Sequence, residues 1–245
     1  MAHAAVPESE PGGSRRCPPA AAPSLHVGGI TPLTTIDFPG RLAAVLYCQG
    51  CPWRCGYCHN PELLEVKAAA GMSWVQVLLF LEKRRGLVDG VVFSGGEPTL
   101  QAALPDALKQ VRAMGFATAL HTGGMYPERL VAVLPLLDWV GLDIKGPRQR
   151  YAEITGARGS DARAWQSLQL LVRSGVAYEC RTTWHEGLFS REELQTLEHD
   201  LVAEGVTHWT LQPCRTSPRE TPRSIAPLPV GLGSRVKAFD VRGGA

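Results

Sequence analysis

The sequence has no run of about 18 apolar residues, so no membrane-spanning helix is expected. It has little excess charge. The formal net charge is +2 and charged residues make up 20%, which points to no nucleic acid, no membrane surface and no acidic partner. It carries no recognisable export signal: Arg15 and Arg16 precede Cys17, but the apolar stretch Ala20 to Ala22 is too short. Internal repeats and long low-complexity stretches are absent. Evenly spread cysteines are missing too. Four of the seven fall between positions 48 and 58, which suits a metal in a reduced, cytoplasmic compartment better than a disulfide framework.

What is present reads as one sizeable soluble domain of 245 residues, 44% of them apolar. Residues 1–24, rich in Ala, Pro, Gly, Ser and Glu, are expected to be a disordered tail. From residue 42 onward, strand-like runs alternate with helical patterns. Strands are expected at Leu42–Tyr47, Val88–Ser94, Phe116–Leu120, Trp139–Ile144, Val176–Trp184 and Thr207–Gln212. Leu42–Tyr47 is continuously apolar, as in a strand buried on both faces. Helices are expected between the strands, the last opened by a capping box, Ser190 with Glu193, and facing the core through Leu194, Leu197, Leu201 and Val202. Six strands and five helices in alternation imply parallel strands with right-handed crossovers, in an open doubly wound sheet or a partial barrel. Residues 25–216 form the domain in this reading and 217–245 a C-terminal extension, with 217–235 a loop or tail.

In either architecture ligands sit at the carboxyl ends of the strands, and the chemically unusual residues fall there. The cysteines follow the first strand and Ser94-Gly95-Gly96-Glu97 the second. His121-Thr122-Gly123-Gly124 follows the third, Asp143 and Lys145 end the fourth, His185 follows the fifth and Gln212 ends the sixth.

The cysteine segment reads Cys48-Gln-Gly-Cys51-Pro-Trp-Arg-Cys55-Gly-Tyr-Cys58-His-Asn-Pro61. Thiolates select iron–sulfur clusters, zinc or copper(I). A zinc site using Cys48 as the fourth ligand is one reading. It is cramped, because zinc sites usually pair two short cysteine turns across a long loop. A four-iron cluster is larger, one loop can reach three of its corners, and three ligands leave one iron open to a reactant.

Cys-x3-Cys-x2-Cys with an aromatic, Tyr57, before the last cysteine resembles the radical S-adenosylmethionine signature. Gly28 to Gly40, Gln49-Gly-Cys51, Cys58-His-Asn-Pro61, Phe93 to Gln101 and Leu142-Asp-Ile-Lys145 resemble the anaerobic ribonucleotide reductase activating proteins, over roughly residues 26–215. The resemblance implies a partial (β/α)6 barrel, a [4Fe-4S] cluster on Cys51, Cys55 and Cys58, and S-adenosylmethionine chelated to the open iron. It implies reductive cleavage to a 5′-deoxyadenosyl radical, which takes hydrogen from a glycine of the reductase's glycyl radical subunit. A flavodoxin or ferredoxin-type protein would supply the electron.

The same resemblance assigns Gly95, Gly96 and Glu97 to the cofactor's amino group; the bland alternative is a tight turn. Asp143 and Lys145, two apart on a strand and so on one face, would contact its methionine and ribose region; the alternative is a strand-end salt bridge. Tyr57 packs by the adenine or within its loop, His185 contacts the cofactor or lies on the surface, and Trp53 packs in its loop or meets a partner. His121 stands where many related activases carry Asp, which unsettles whatever that carboxylate does. Cys48 is read as structural, and Cys17, Cys180 and Cys214 as ordinary thiols. Rival readings are an activase of another glycyl radical enzyme, a radical enzyme acting on a small molecule, and a non-catalytic iron–sulfur carrier or zinc scaffold. Some activases insert a ferredoxin-like segment after the cluster loop, and residues 59–93 contain no cysteine to build one. A chain that stops soon after the sixth strand would leave a barrel mouth wide enough for a protein loop.

Overall fold

The computed structural model describes residues 24–66, 71–214, 225 and 227–242. The tail expected over 1–24 lies outside the described residues except for Ser24, as do Cys17 and much of the 217–235 loop. One sheet holds eight strands in sequence order: β1 (Val27–Thr34), β2 (Ala43–Cys48), β3 (Gly90–Gly95), β4 (Ala117–Thr122), β5 (Trp139–Asp143), β6 (Ala177–Trp184), β7 (His208–Pro213) and β8 (Ala238–Val241). β1 runs antiparallel to β2, and every later pair is parallel. A doubly wound sheet reverses its strand order at a switch point. Here the order never reverses, so the chain winds one way into a partial barrel whose edges are β1 and β8. The helices are α1 (Trp74–Glu82), α2 (Leu104–Ala113), α3 (Pro127–Val133), α4 (Arg148–Thr155), α5 (Ser160–Ser174) and α6 (Arg191–Ala203).

The six expected strands correspond to β2–β7, shifted by one or two residues. Three elements go beyond the expectation. β1 contains Gly28, Gly29 and Pro32, residues depleted in strands, and its antiparallel pairing with β2 orders it. α4 buries only Tyr151, Ile154 and Thr155, too few for a visible period. It is bounded by Pro147 and by left-handed Gly156. β8, in the expected C-terminal extension, has four residues, none fully buried.

The alternation along β2 matches its apolar run. Ala43 and Val45 face the barrel interior, where they pack with Val92, Ala119, Phe38 and Trp139. Ala44 and Leu46 join the larger cluster between sheet and helices. Small residues on β2–β4 leave the interior room for Phe38 and Trp139, whose ring centroids are 6.2 Å apart. The capping box of α6 is formed: Ser190 Oγ accepts from Glu193 N at 3.2 Å, and the Glu193 carboxylate accepts from Ser190 N at 2.8 Å. Leu194, Leu197 and Leu201 are buried as expected, Val202 only partly. Glu198 takes a buried place on the same helix because its Oε1 accepts from Gly233 N and Arg235 N, at 3.1 and 3.3 Å.

Candidate active site

The carboxyl ends of the strands enclose a cavity of about 260 Å³. Cys51, Cys55 and Cys58 all line it; Cys48, fully buried on β2, does not. The loop that presents the three thiols is held by its own backbone and by side chains from its motif. Gly50 N and Cys51 N donate to Leu63 O and Leu64 O. Gln49 donates to Glu62 O and Glu65 O, and Gln101 Nε2 donates to Gln49 O. Arg54 donates to Cys51 O at 2.6 Å and Trp53 O at 2.9 Å. Trp53 packs beneath the loop, edge-on to Tyr151 at 5.9 Å, in space left by Gly123. Burial pushes the Cys51 thiol up to about 12 and raises Cys55 as well, so ligation of a cation is what would make these thiols thiolates.

Gly95 and Gly96 also line the cavity. The close approach that requires them is to the cysteine loop, rather than to a ligand alone. A Cβ on Gly95, whose φ is +106°, would lie 2.5 Å from Cys48 N, and one on Gly96 would lie 2.3 Å from Gly50 O. Glu97 sits differently from its two glycine neighbours. It is fully buried, it is not part of the cavity wall, and its carboxylate is already occupied. Oε1 accepts from Thr99 N, Thr99 Oγ1 and Thr122 Oγ1, and Oε2 accepts from Gly123 N at 3.0 Å. Burial raises its pKa, while these donors oppose the rise. Glu97 therefore staples the turn after β3 to the turn after β4.

Asp143 and Lys145 face the cavity as expected, and so does Arg181 of β6, which motif reading did not single out. The Asp143 carboxylate is bracketed. Lys145 Nζ donates to Oδ2 at 2.9 Å, and Arg181 Nε and Nη2 both approach Oδ1 at 2.8 Å. Burial alone would raise Asp143, but Arg181 and Lys145 override it and hold the carboxyl well below the usual range. Lys145 is likewise held charged against burial by Asp143. The pair forms the salt bridge that is one reading of it, and it stands on the cavity wall. The only sequence signal for Arg181 was an arginine inside a strand otherwise headed for the core.

His121 lines the cavity beside Arg181 and Ser94, and Gln212 closes it from β7. His185 is not on the cavity wall; its Nδ1 accepts from Gly187 N at 2.9 Å. Tyr57 is buried against the cavity, and its hydroxyl has no hydrogen-bond partner among the described residues.

The donor set fits a cluster with an open corner. Three soft sulfurs share the cavity wall, and the fourth cysteine of the segment, Cys48, does not join them there. A single zinc draws each sulfur to about 2.3 Å; a multi-iron cluster spreads its ligands over its corners. The same cavity offers an orphaned buried hydroxyl and a charged trio to a polar organic ligand.

A profile of the radical SAM superfamily matches residues 45–197. Over 178 residues the chain is 30% identical to a protein of Methanocaldococcus jannaschii assigned as a glycyl-radical enzyme activating enzyme, covering 70% of this chain and 73% of that one. It is 35% identical over 125 residues to the pyruvate formate-lyase-activating enzyme of Clostridium pasteurianum, covering 49% of this chain and 52% of that one. SuiB of Streptococcus suis, solved bound to the precursor peptide SuiA, superposes with a TM-score of 0.57 at 16% identity, over 69% of this chain and 38% of SuiB. The chain thus spans about half of the C. pasteurianum enzyme and less of SuiB.

Proposed function

The chain belongs to the radical SAM superfamily, and from that premise we propose that it activates a glycyl radical enzyme, its partner being the glycyl radical subunit of an anaerobic ribonucleotide reductase. The observation that carries the reading is one cavity that gathers Cys51, Cys55 and Cys58 with Tyr57, Asp143, Lys145 and Arg181 at the strand ends. The three thiols would hold a [4Fe-4S] cluster and leave one iron for S-adenosylmethionine. Tyr57, Gly95, Gly96, Asp143 and Lys145 would bind and orient the rest of the cofactor. When bound, the pair supplies one-electron cleavage of the sulfonium to methionine and a 5′-deoxyadenosyl radical, which removes a hydrogen atom from the partner's glycine. The buried ring of Tyr57 and the Trp53 floor would keep water from the reacting carbon. The ion pairs of Asp143 would hold both neighbouring cations in place before the ligand arrives.

The reductase as target is supported by the segments Gly28 to Gly40 and Cys58-His-Asn-Pro61 and by the absence of cysteine in residues 59–93. The electron donor in this reading is a flavodoxin or ferredoxin-type protein, and the compartment is the cytoplasm. No helix among the described residues is long and apolar enough to cross a membrane. Residues 25–216 would be the radical SAM domain, with 217–245 returning β8 to its edge.

The test mixes the anaerobically reconstituted and reduced protein with S-adenosylmethionine and the reductase of the same organism. A glycyl radical doublet in electron paramagnetic resonance is expected. It should need all three components and vanish when the reductase's radical glycine becomes alanine. A doublet on a formate-lyase-type enzyme instead would keep the activase and move its target, as the C. pasteurianum relative would favour. Turnover with a small molecule and no protein radical would overturn the activase reading.

A further inference from the structure

We propose that His121 is a positioning residue: it aims the Arg181 guanidinium into the cavity to receive the carboxylate of the bound ligand. The inference rests on the cofactor reading above and concerns a residue that reading leaves without a role.

The two ring nitrogens of His121 have different partners. Nε2 lies 2.9 Å from the carbonyl oxygen of Asp37, which can only accept, so Nε2 carries the proton. Nδ1 lies 3.3 Å from Arg181 Nη1, which can only donate, so Nδ1 is bare. The ring is thus neutral and locked in one tautomer, standing edge-on to Trp139 at 5.6 Å. Burial, and then the neighbouring guanidinium, pushes its pKa down to about 3. Arg181 is held from two sides, by His121 through Nη1 and by Asp143 through Nε and Nη2.

The strand between His121 and Arg181 is shaped for this arrangement. Gly141 of β5 pairs with His121 on one side and Glu179 on the other. A Cβ on Gly141 would lie 2.8 Å from Arg181 Cζ and 2.9 Å from Nη1. The guanidinium therefore lies across the bare backbone of β5 to reach the imidazole. A carboxylate in place of His121 would have been a second anion beside Asp143. The neutral imidazole leaves Arg181 and Lys145 facing one carboxylate, that of Asp143, while the other acid on the wall, Asp37, has its carboxylate engaged by Thr34 Oγ1. Beside that trio a carboxylate on the ligand meets two cations and one anion, and the planar fork of arginine suits it.

The test uses anaerobically reconstituted holoprotein and two ligands, S-adenosylmethionine and its decarboxylated analogue, titrated calorimetrically. His121→Phe keeps a ring and loses the hydrogen bonds to Asp37, Arg181 and Ser94. Gly141→Ala crowds the guanidinium, and the Trp139 ring beside it, while leaving the imidazole in place. Both should weaken S-adenosylmethionine on the order of tenfold, the scale of one charge-assisted contact, and leave the analogue unchanged. His121→Gln carries an acceptor and a donor on one amide and should restore near wild-type affinity. Equal losses for both ligands, or none, in variants with wild-type cluster content and melting temperature would overturn the inference while leaving the cofactor reading standing. A wild type that binds neither ligand would overturn the cofactor reading itself. Independently of any variant's folding, nitrogen-15 spectra of the wild type should show His121 as the Nε2–H tautomer, and an Nδ1–H signal would sink the proposal.

Discussion

Glu97 and Cys48 stand beside the cysteine loop without sharing the part its three later thiols play. Both are fully buried and neither lines the cavity, whereas Cys51, Cys55 and Cys58 do. Anaerobic reconstitution should give about four irons and four sulfides per chain. Replacing any of the three cavity cysteines with alanine should abolish that content, and Cys48→Ala should keep it. Loss of iron in Cys48→Ala with retention in Cys58→Ala would reverse the ligand set. For Glu97, the four donors that converge on its carboxylate predict a folding defect. Glu97→Gln turns an amide N–H₂ toward groups that can only donate or that already do. A cost of about 2 kcal/mol is expected, or roughly 4–8 °C of melting temperature for a chain of this size. If the melting temperature holds and only S-adenosylmethionine affinity falls, Glu97 faces the cofactor after all.

Among the elements, α6 and β8 illustrate opposite kinds of legibility. The start of α6 could be read from Ser190 and Glu193 because a capping box is local: its atoms lie within one turn. β8 could not, because four residues, two exposed and two half-buried, have little preference of their own. Their place is decided by pairing with β7 and by Glu198 of α6, which accepts from the backbone of the turn before them. Glu198→Ala should therefore speed amide exchange in 238–241 by an order of magnitude or more, about the loss of one buried charge-assisted contact. The amides of β4 and β5 should exchange as before. Uniform acceleration through the whole sheet would mean that Glu198 stabilises the fold globally and does not specifically dock β8.

The molecule as a whole should lose stability toward acid in a staged way. His121 titrates near its ordinary 6.5 when unfolded and near 3 when folded. Between those values the unfolded chain binds more protons, so stability is complete above about pH 6.5 and declines as pH falls toward 3. The slope from this one group is at most about 1.4 kcal/mol per pH unit. Asp143 is depressed below its ordinary 3.8 by Arg181 and Lys145. Its contribution is present above about pH 4 and is lost only at lower pH. Denaturant titrations from pH 7 to 4 should show the first stage, and His121→Gln should flatten it. An unchanged slope in that variant would assign the acid loss to other groups.

The sequence by itself determined the strand–helix alternation from β2 to β7, because hydrophobic period and caps are written over short stretches of chain. It also determined the three thiols as a unit, since side chains on one loop are neighbours whatever the rest of the fold does. Tertiary structure alone decided what happens where loops meet. It chose a barrel over a doubly wound sheet through strand order. It turned Glu97 inward as a staple, left His185 off the cavity wall and brought Arg181 across Gly141 to His121 and Asp143. Those partners lie 25 to 60 residues apart in the chain. No local pattern encodes such pairings, because each depends on which strand ends the winding of the sheet places side by side.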